Sequence, residues 1–208
     1  MSTAGQLIVA FRDDERDSIE PFFWSDRQLL RWLNQACEQF AIGTEGLVDA
    51  VTIRLVPAVA DYPLDANVLR ILAAGTAFAR KLRIVEPGVM PPVPEQRFGT
   101  AEVIELRDGH SLRVHPIPQF ELDLALTIER LPRELTDKAS DLCDVPRRYH
   151  ELLLHYVKHK AYSVQDGETI NPAKAGDHLA MFNAGLADAR AELKRRRAVN
   201  TQPIRYRD

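Results

Sequence analysis

Hydrophobic side chains recur every three to four residues near both ends of this 208-residue chain and every second residue through its middle. That switch of period limits the fold more than any single motif, because a helix and a strand present different residues to a common core. Val51, Ile53 and Leu55 alternate with Thr52 and Arg54, and Leu122, Leu124, Leu126 and Ile128 alternate with Asp123, Ala125 and Thr127. Shorter strand candidates lie at Tyr62-Pro63-Leu64, 68–74, 82–85, 101–107 and 111–115. The last two flank Asp108-Gly109, a hairpin turn signal, so the section from about 49 to 130 reads as a mainly antiparallel sheet. Four prolines at 87, 91, 92 and 94 break the stretch 86–96, which cannot pair on both sides and is expected to project as an exposed loop.

Helix signals frame this section. Ser25 and Gln28 form a capping-box pattern, with Trp24 and Leu29 placed as a hydrophobic staple. Leu29, Leu33, Ala36 and Phe40 then draw an apolar stripe as far as Ile42, where Gly43 is the expected stop. Upstream, Thr3 and Gln6 could cap another helix carrying Leu7, Ile8 and Phe11, with a strand as the close alternative. Downstream, Pro146 and Asn171-Pro172 mark two helix starts, and Asp166-Gly167 between them marks a stop. Tyr149, Leu152, Leu153, Tyr156, Val157 and Ala161 on one helix face Ala175, Leu179, Phe182, Leu186, Ala189 and Leu193 on the next, predicting an antiparallel helical hairpin.

The expected fold class is α+β: a helical bundle from 1–45 and 144–197, an antiparallel β insertion at about 49–130, and a basic tail at 198–208, all within one domain. A chain of this length buries roughly 70% of the surface it exposes when unfolded, enough for a real core. No apolar run approaches the ~18 residues that a membrane span needs, so no membrane partner is expected. The start has only a short apolar stretch without a basic region ahead of it, unlike a secretory signal. Cys37 and Cys143 have no metal-ligand spacing and suggest no disulfide framework; Cys37 reads as a small core residue.

Chemistry is sparse. His150 and His155 in HELLLH are five apart, about 140° around a helix, so the HExxH metalloprotease geometry fails. Glu151, His155 and His159 share a helix face at metal-ligand spacing, but surface histidines beside a glutamate explain them without any ligand. No phosphate-binding loop, dinucleotide fingerprint or nucleophile elbow occurs, so no catalytic residue, metal or cofactor is expected. Net charge is −3, with five acids against two bases from Arg12 to Glu20 and a basic end comprising Lys194, Arg195, Arg196, Arg197, Arg205 and Arg207. The acidic run reads as solvated surface. The basic cluster suits helix-end stabilisation, contact with an acidic protein surface, or, as the alternative function, nucleic-acid binding.

In order and spacing, Trp24-Ser25-Asp26, Tyr62-Pro63-Leu64, Pro116-Ile117-Pro118 and Pro146 to Tyr149 resemble the adaptor proteins of tailed-phage head-to-tail connectors, over about residues 17–193. The resemblance implies a non-enzymatic virion protein of the neck, assembled in the host cytoplasm. It would form a homo-oligomeric ring, commonly of twelve, between the portal protein and a tail or tail-completion protein, with viral DNA passing through the lumen. A neighbouring neck or tail-completion protein is the milder variant of this reading. On it, the basic residues 194–197, Arg205 and Arg207 are expected to grip the portal, and Pro87, Met90, Pro91, Pro92 and Pro94 to reach a neighbouring subunit.

Overall fold

Capping chemistry sets where the first two helices of the computed structural model begin. The Thr3 hydroxyl accepts from the Gln6 N–H at 3.3 Å while the Gln6 side chain accepts from the Thr3 N–H at 3.1 Å, which starts α1 (Ala4–Glu15). Ser25 and Gln28 repeat the arrangement at 3.3 and 3.0 Å and start α2 (Asp26–Gly43). The first segment is therefore helix rather than strand. The structure describes residues 3–79, 81–89, 97–107, 111–142, 144–164 and 170–200, with 197–200 by backbone alone. The chain is α+β and divides into two units, Met1–Glu45 with Pro132–Asp208, and Gly46–Leu131.

In the first unit, α1 and α2 pack with α3 (His150–Ser163) and α4 (Pro172–Asn200) around Phe11, Trp24, Leu29, Leu33, Phe40, Leu153 and Val157. Each of these side chains, once buried, contributes on the order of 1.5–3 kcal/mol. Trp24 and Leu29, the staple positions, are both buried. Cys37 is also buried, and desolvation pushes its thiol up to about 12, so it serves as an apolar filler. Mid-helix, the Asn34 amide donates to the Leu135 carbonyl at 2.9 Å and accepts from its N–H at 2.8 Å, pinning the returning chain to α2 as a neighbouring strand would.

One helix boundary matches the sequence expectation for a different physical reason, and another differs from it. α2 ends at Gly43 as expected, but as its last helical residue and not as a left-handed cap; a Cβ there would lie 2.3 Å from Leu186 Cδ2, so this glycine serves close packing against α4. The left-handed residues just after α2 are Glu45 and Gly46, at φ 68° and 76°. Pro146 does not open α3. Its ψ of 136° is extended, a 3-10 turn (Arg147–Tyr149) intervenes, and α3 begins at His150, whose Nε2 meets the Val145 carbonyl at 2.8 Å. Pro172 does open α4, with Asn171 Oδ1 accepting from the Lys174 N–H at 3.0 Å. The Asp166-Gly167 stop and Cys143 lie outside the described residues.

In the second unit, β1 (Leu47–Leu55) and β3 (Val68–Thr76) flank β9 (Leu122–Arg130), both antiparallel to it. A second sheet runs β2 (Asp61–Pro63), β7 (Ser111–His115), β6 (Val103–Arg107), β4 (Arg83–Val85), and a two-stranded piece joins β5 (Phe98–Gly99) to β8 (Ile117–Pro118). The sheets are mainly antiparallel, but β4 with β6 and β5 with β8 pair in parallel. Leu122, Leu124, Leu126 and Ile128 of β9 all face the core shared with Ile104, Leu112 and Val114, as their alternation requires. Tyr62 anchors this core: its hydroxyl accepts from the Val56 N–H at 3.0 Å and lies 3.1 and 2.9 Å from the Val56 and Val59 carbonyls. Register across β6 and β7 closes to Arg107 opposite Ser111; the Asp108-Gly109 turn itself lies outside the described residues.

Candidate interaction surfaces

The basic cluster sits on the last turns of α4, which runs on to Asn200. Its cations are not all available. Lys194 Nζ lies 2.9 Å and Arg190 Nη2 2.6 Å from Glu45 Oε1, and these hydrogen bonds, Lys194 first, hold the Glu45 carboxyl down at about 2. Arg196 pairs with Glu192 one turn earlier at 2.7 Å, and Arg195 donates from Nε to the Ala191 carbonyl at 3.3 Å. Glu192 also accepts from the Tyr149 hydroxyl at 2.6 Å, the contact that most lowers its carboxyl below the ordinary range. The side chain of Arg197, and Arg205 and Arg207, lie outside the described residues. Of the loop residues, Pro87 is exposed, while Met90, Pro91, Pro92 and Pro94 lie outside the described residues.

The acidic run from Arg12 to Glu20 is not simply solvated. Arg12 and Asp17 are buried at 7% and 2% exposure, joined by a 2.6 Å bond from Nη1 to Oδ2. Arg12 Nη2 also donates to the Trp24 carbonyl and to Asp26 Oδ1, each at 2.8 Å, and the guanidinium stacks 3.7 Å over the Phe22 ring. Asp17 Oδ1 in turn accepts from the Phe23 N–H at 2.8 Å. A guanidinium with several donors fits this closed loop as a lysine would not. Farther along, Lys158 bridges Asp14 at 2.8 Å and Glu15 at 3.1 Å. Partial burial opposes the Lys158 charge, yet these two bonds together hold its ammonium above the ordinary lysine range. Only the odd sequence position of Arg12, between the apolar Phe11 and a row of acids, hinted at this network.

The residues of HELLLH separate. His150 is buried, and Glu151 points to solvent. His155 Nδ1 lies 3.2 Å from His178 Nδ1 with the rings stacked, while His159 Nδ1 lies 2.9 Å from the Ala175 carbonyl. Desolvation, reinforced by neighbouring cations, keeps His155 and His178 below the usual histidine range. Both histidines on the proposed metal face thus turn toward α4, and no cluster of three metal-ligating side chains occurs among the described residues.

Large apolar side chains remain open on each unit. On the first, Ile19 is 81% and Phe23 59% exposed, in the loop that the Arg12–Asp17 bridge holds from beneath; on the second, Phe78, Val89, Phe98 and Phe120 are all more than half exposed. Two open grooves border α4. One, of about 600 Å³, includes Arg148, Leu152, Met181 and Arg195; the other, of about 590 Å³, is lined by Gly43, Asn183, Leu186, Ala187, Arg190, Ala191 and Lys194. No helix among the described residues is long and apolar enough to cross a membrane. The chain matches the family model described as SU10 adaptor protein over residues 2–207. No curated protein matches it.

Proposed function

The chain belongs to the SU10 adaptor protein family, and from that premise we propose that it is a structural virion protein of a tailed phage, a head-to-tail adaptor. Its copies form a ring, twelve in number, between the portal protein and the tail or tail-completion protein, and viral DNA passes through the lumen. The protein assembles in the host cytoplasm and resides in the neck of the virion. The observation that carries this reading is the family match, which extends across both units.

The physical properties of the chain fit such a role. A ring subunit needs two different, complementary flanks, and the exposed apolar side chains of each unit ask to be covered. A DNA conduit works best without strong phosphate binding, since every neutralised phosphate adds salt-sensitive affinity that slows transit. Lys194 and Arg196 are already engaged by Glu45 and Glu192, so a phosphate would have to displace a carboxylate, which lowers the affinity that would slow transit.

Negative-stain images of the purified protein mixed with portal test the proposal. A ring seated on the portal is expected, and a chain that stays monomeric at high concentration and never joins the portal refutes it. Removing residues 201–208, with Arg205 and Arg207, is expected to abolish portal docking while the ion pairs of α4 stay in place; full docking by the shortened chain removes the tail from the portal contact.

A further inference from the structure

Residues 18–23 form a projection whose shape is set from below. Two buried charges and the backbone of Phe23 and Trp24 are tied together there, while Ile19 and Phe23 face outward. A buried ion pair does little for net stability compared with apolar packing, but it fixes geometry, and here it fixes a loop that exposes two large apolar side chains. The one charged residue within 18–23 is acidic, Glu20, and it faces solvent.

The groove between the end of α2 and α4 has the opposite character. It is lined by Leu186 and Ala187 beside Gly43, and its edge carries Arg190 and Lys194. Both cations share the single carboxylate of Glu45, so the edge keeps one positive charge in excess. The projection precedes the first turn of α2 and the groove adjoins its last, so the two features lie about 25 Å apart along one rigid helix.

We propose that the 18–23 projection of one copy seats in the α2–α4 groove of the next, with Ile19 and Phe23 against Leu186 and Ala187 and Glu20 against the Arg190–Lys194 edge. This rests on the ring reading and names the flanks that such a ring would use. In a ring the contact is heterologous, each copy giving its projection to one neighbour and its groove to the other. Repetition of such a contact gives a ring when the rotation closes and a filament when it does not, whereas two copies exchanging projections reciprocally would close as a two-fold dimer, giving a cross-linked dimer without a ladder and overturning the ring contact.

The test uses the full chain carrying Ile19→Cys and Ala187→Cys with Cys143→Ser, Cys37 being buried. Oxidation at concentrations that support assembly is expected to give a ladder of disulfide-linked multimers, absent when either new cysteine stands alone. Rings without a ladder overturn the knob-in-groove contact and leave the ring reading intact. A chain that is monomeric at every concentration, with or without portal, overturns both. Cross-linking of position 19 to portal assigns the projection to that partner and overturns the contact between copies. Two surface variants add a second measure: Ile19→Asp is expected to abolish assembly with unchanged monomer melting, and Glu20→Lys to weaken association about fivefold. Undiminished assembly by Ile19→Asp also overturns the contact.

Discussion

Replacing Asp17 with alanine takes away the acceptor on which the α1–α2 corner is built, and the cost follows from what is left behind. Arg12 would keep Asp26, whose side chain is 36% exposed, and the Trp24 carbonyl, but would lose its buried partner. Removing one member of a buried pair costs about 3–5 kcal/mol, and the retained bonds place this case at about 3 kcal/mol. The Phe23 N–H loses its acceptor as well, adding about 1 kcal/mol. With a urea slope of about 2–3 kcal/mol/M, the unfolding midpoint of the helical unit should fall by about 1–2 M. The assay is urea titration followed by far-ultraviolet circular dichroism, with Arg54→Ala as control, since that guanidinium is 60% exposed and should leave the midpoint unchanged. Combining Arg12→Met with Asp17→Asn removes both charges and should cost less than Asp17→Ala alone. A midpoint shift below about 0.3 M for Asp17→Ala, or a double variant as unstable as the sum of its singles, refutes the view that this bridge organises the corner.

Gly43→Ala should destabilise by about 1–3 kcal/mol because its Cβ would enter the Leu186 side chain, whereas Gly176→Ala, on an open face of α4, should stabilise by about 0.5–1 kcal/mol; thermal melts check both. His155 and His178 have depressed protonation points in the fold, so their contribution is complete above the unfolded histidine value near 6.5 and is lost as pH falls below it. His178→Gln should therefore flatten the decline in melting temperature between pH 7.5 and 5, and an unchanged slope counts against it. Tyr62→Phe removes the hydroxyl bonded to the Val56 N–H and should cost about 1–2 kcal/mol by chemical denaturation.

Local chemistry fixed the elements of this protein. The capping box at Ser25, Asn171-Pro172, and the two-residue alternation of β9 each act within a few residues, so the starts of α2 and α4, the long strands and the α+β class are legible in the sequence alone, whereas the start of α3 and the choice of helix over strand for α1 are not. The apolar stripes of α3 and α4 likewise name the side chains that meet, because a helix face is fixed by its own period. What the linear pattern could not reveal depends on partners distant in the chain. Gly43 reads only as a helix stop until Leu186 is beside it, and His155 and His159 read as surface histidines until His178 and the Ala175 carbonyl take them. Arg12 and Asp17 look like wet surface until the chain turns back over them at Trp24. Charge and glycine are ambiguous in sequence for one physical reason: their free energy is set by burial and by the neighbour opposite, and only the tertiary structure supplies both.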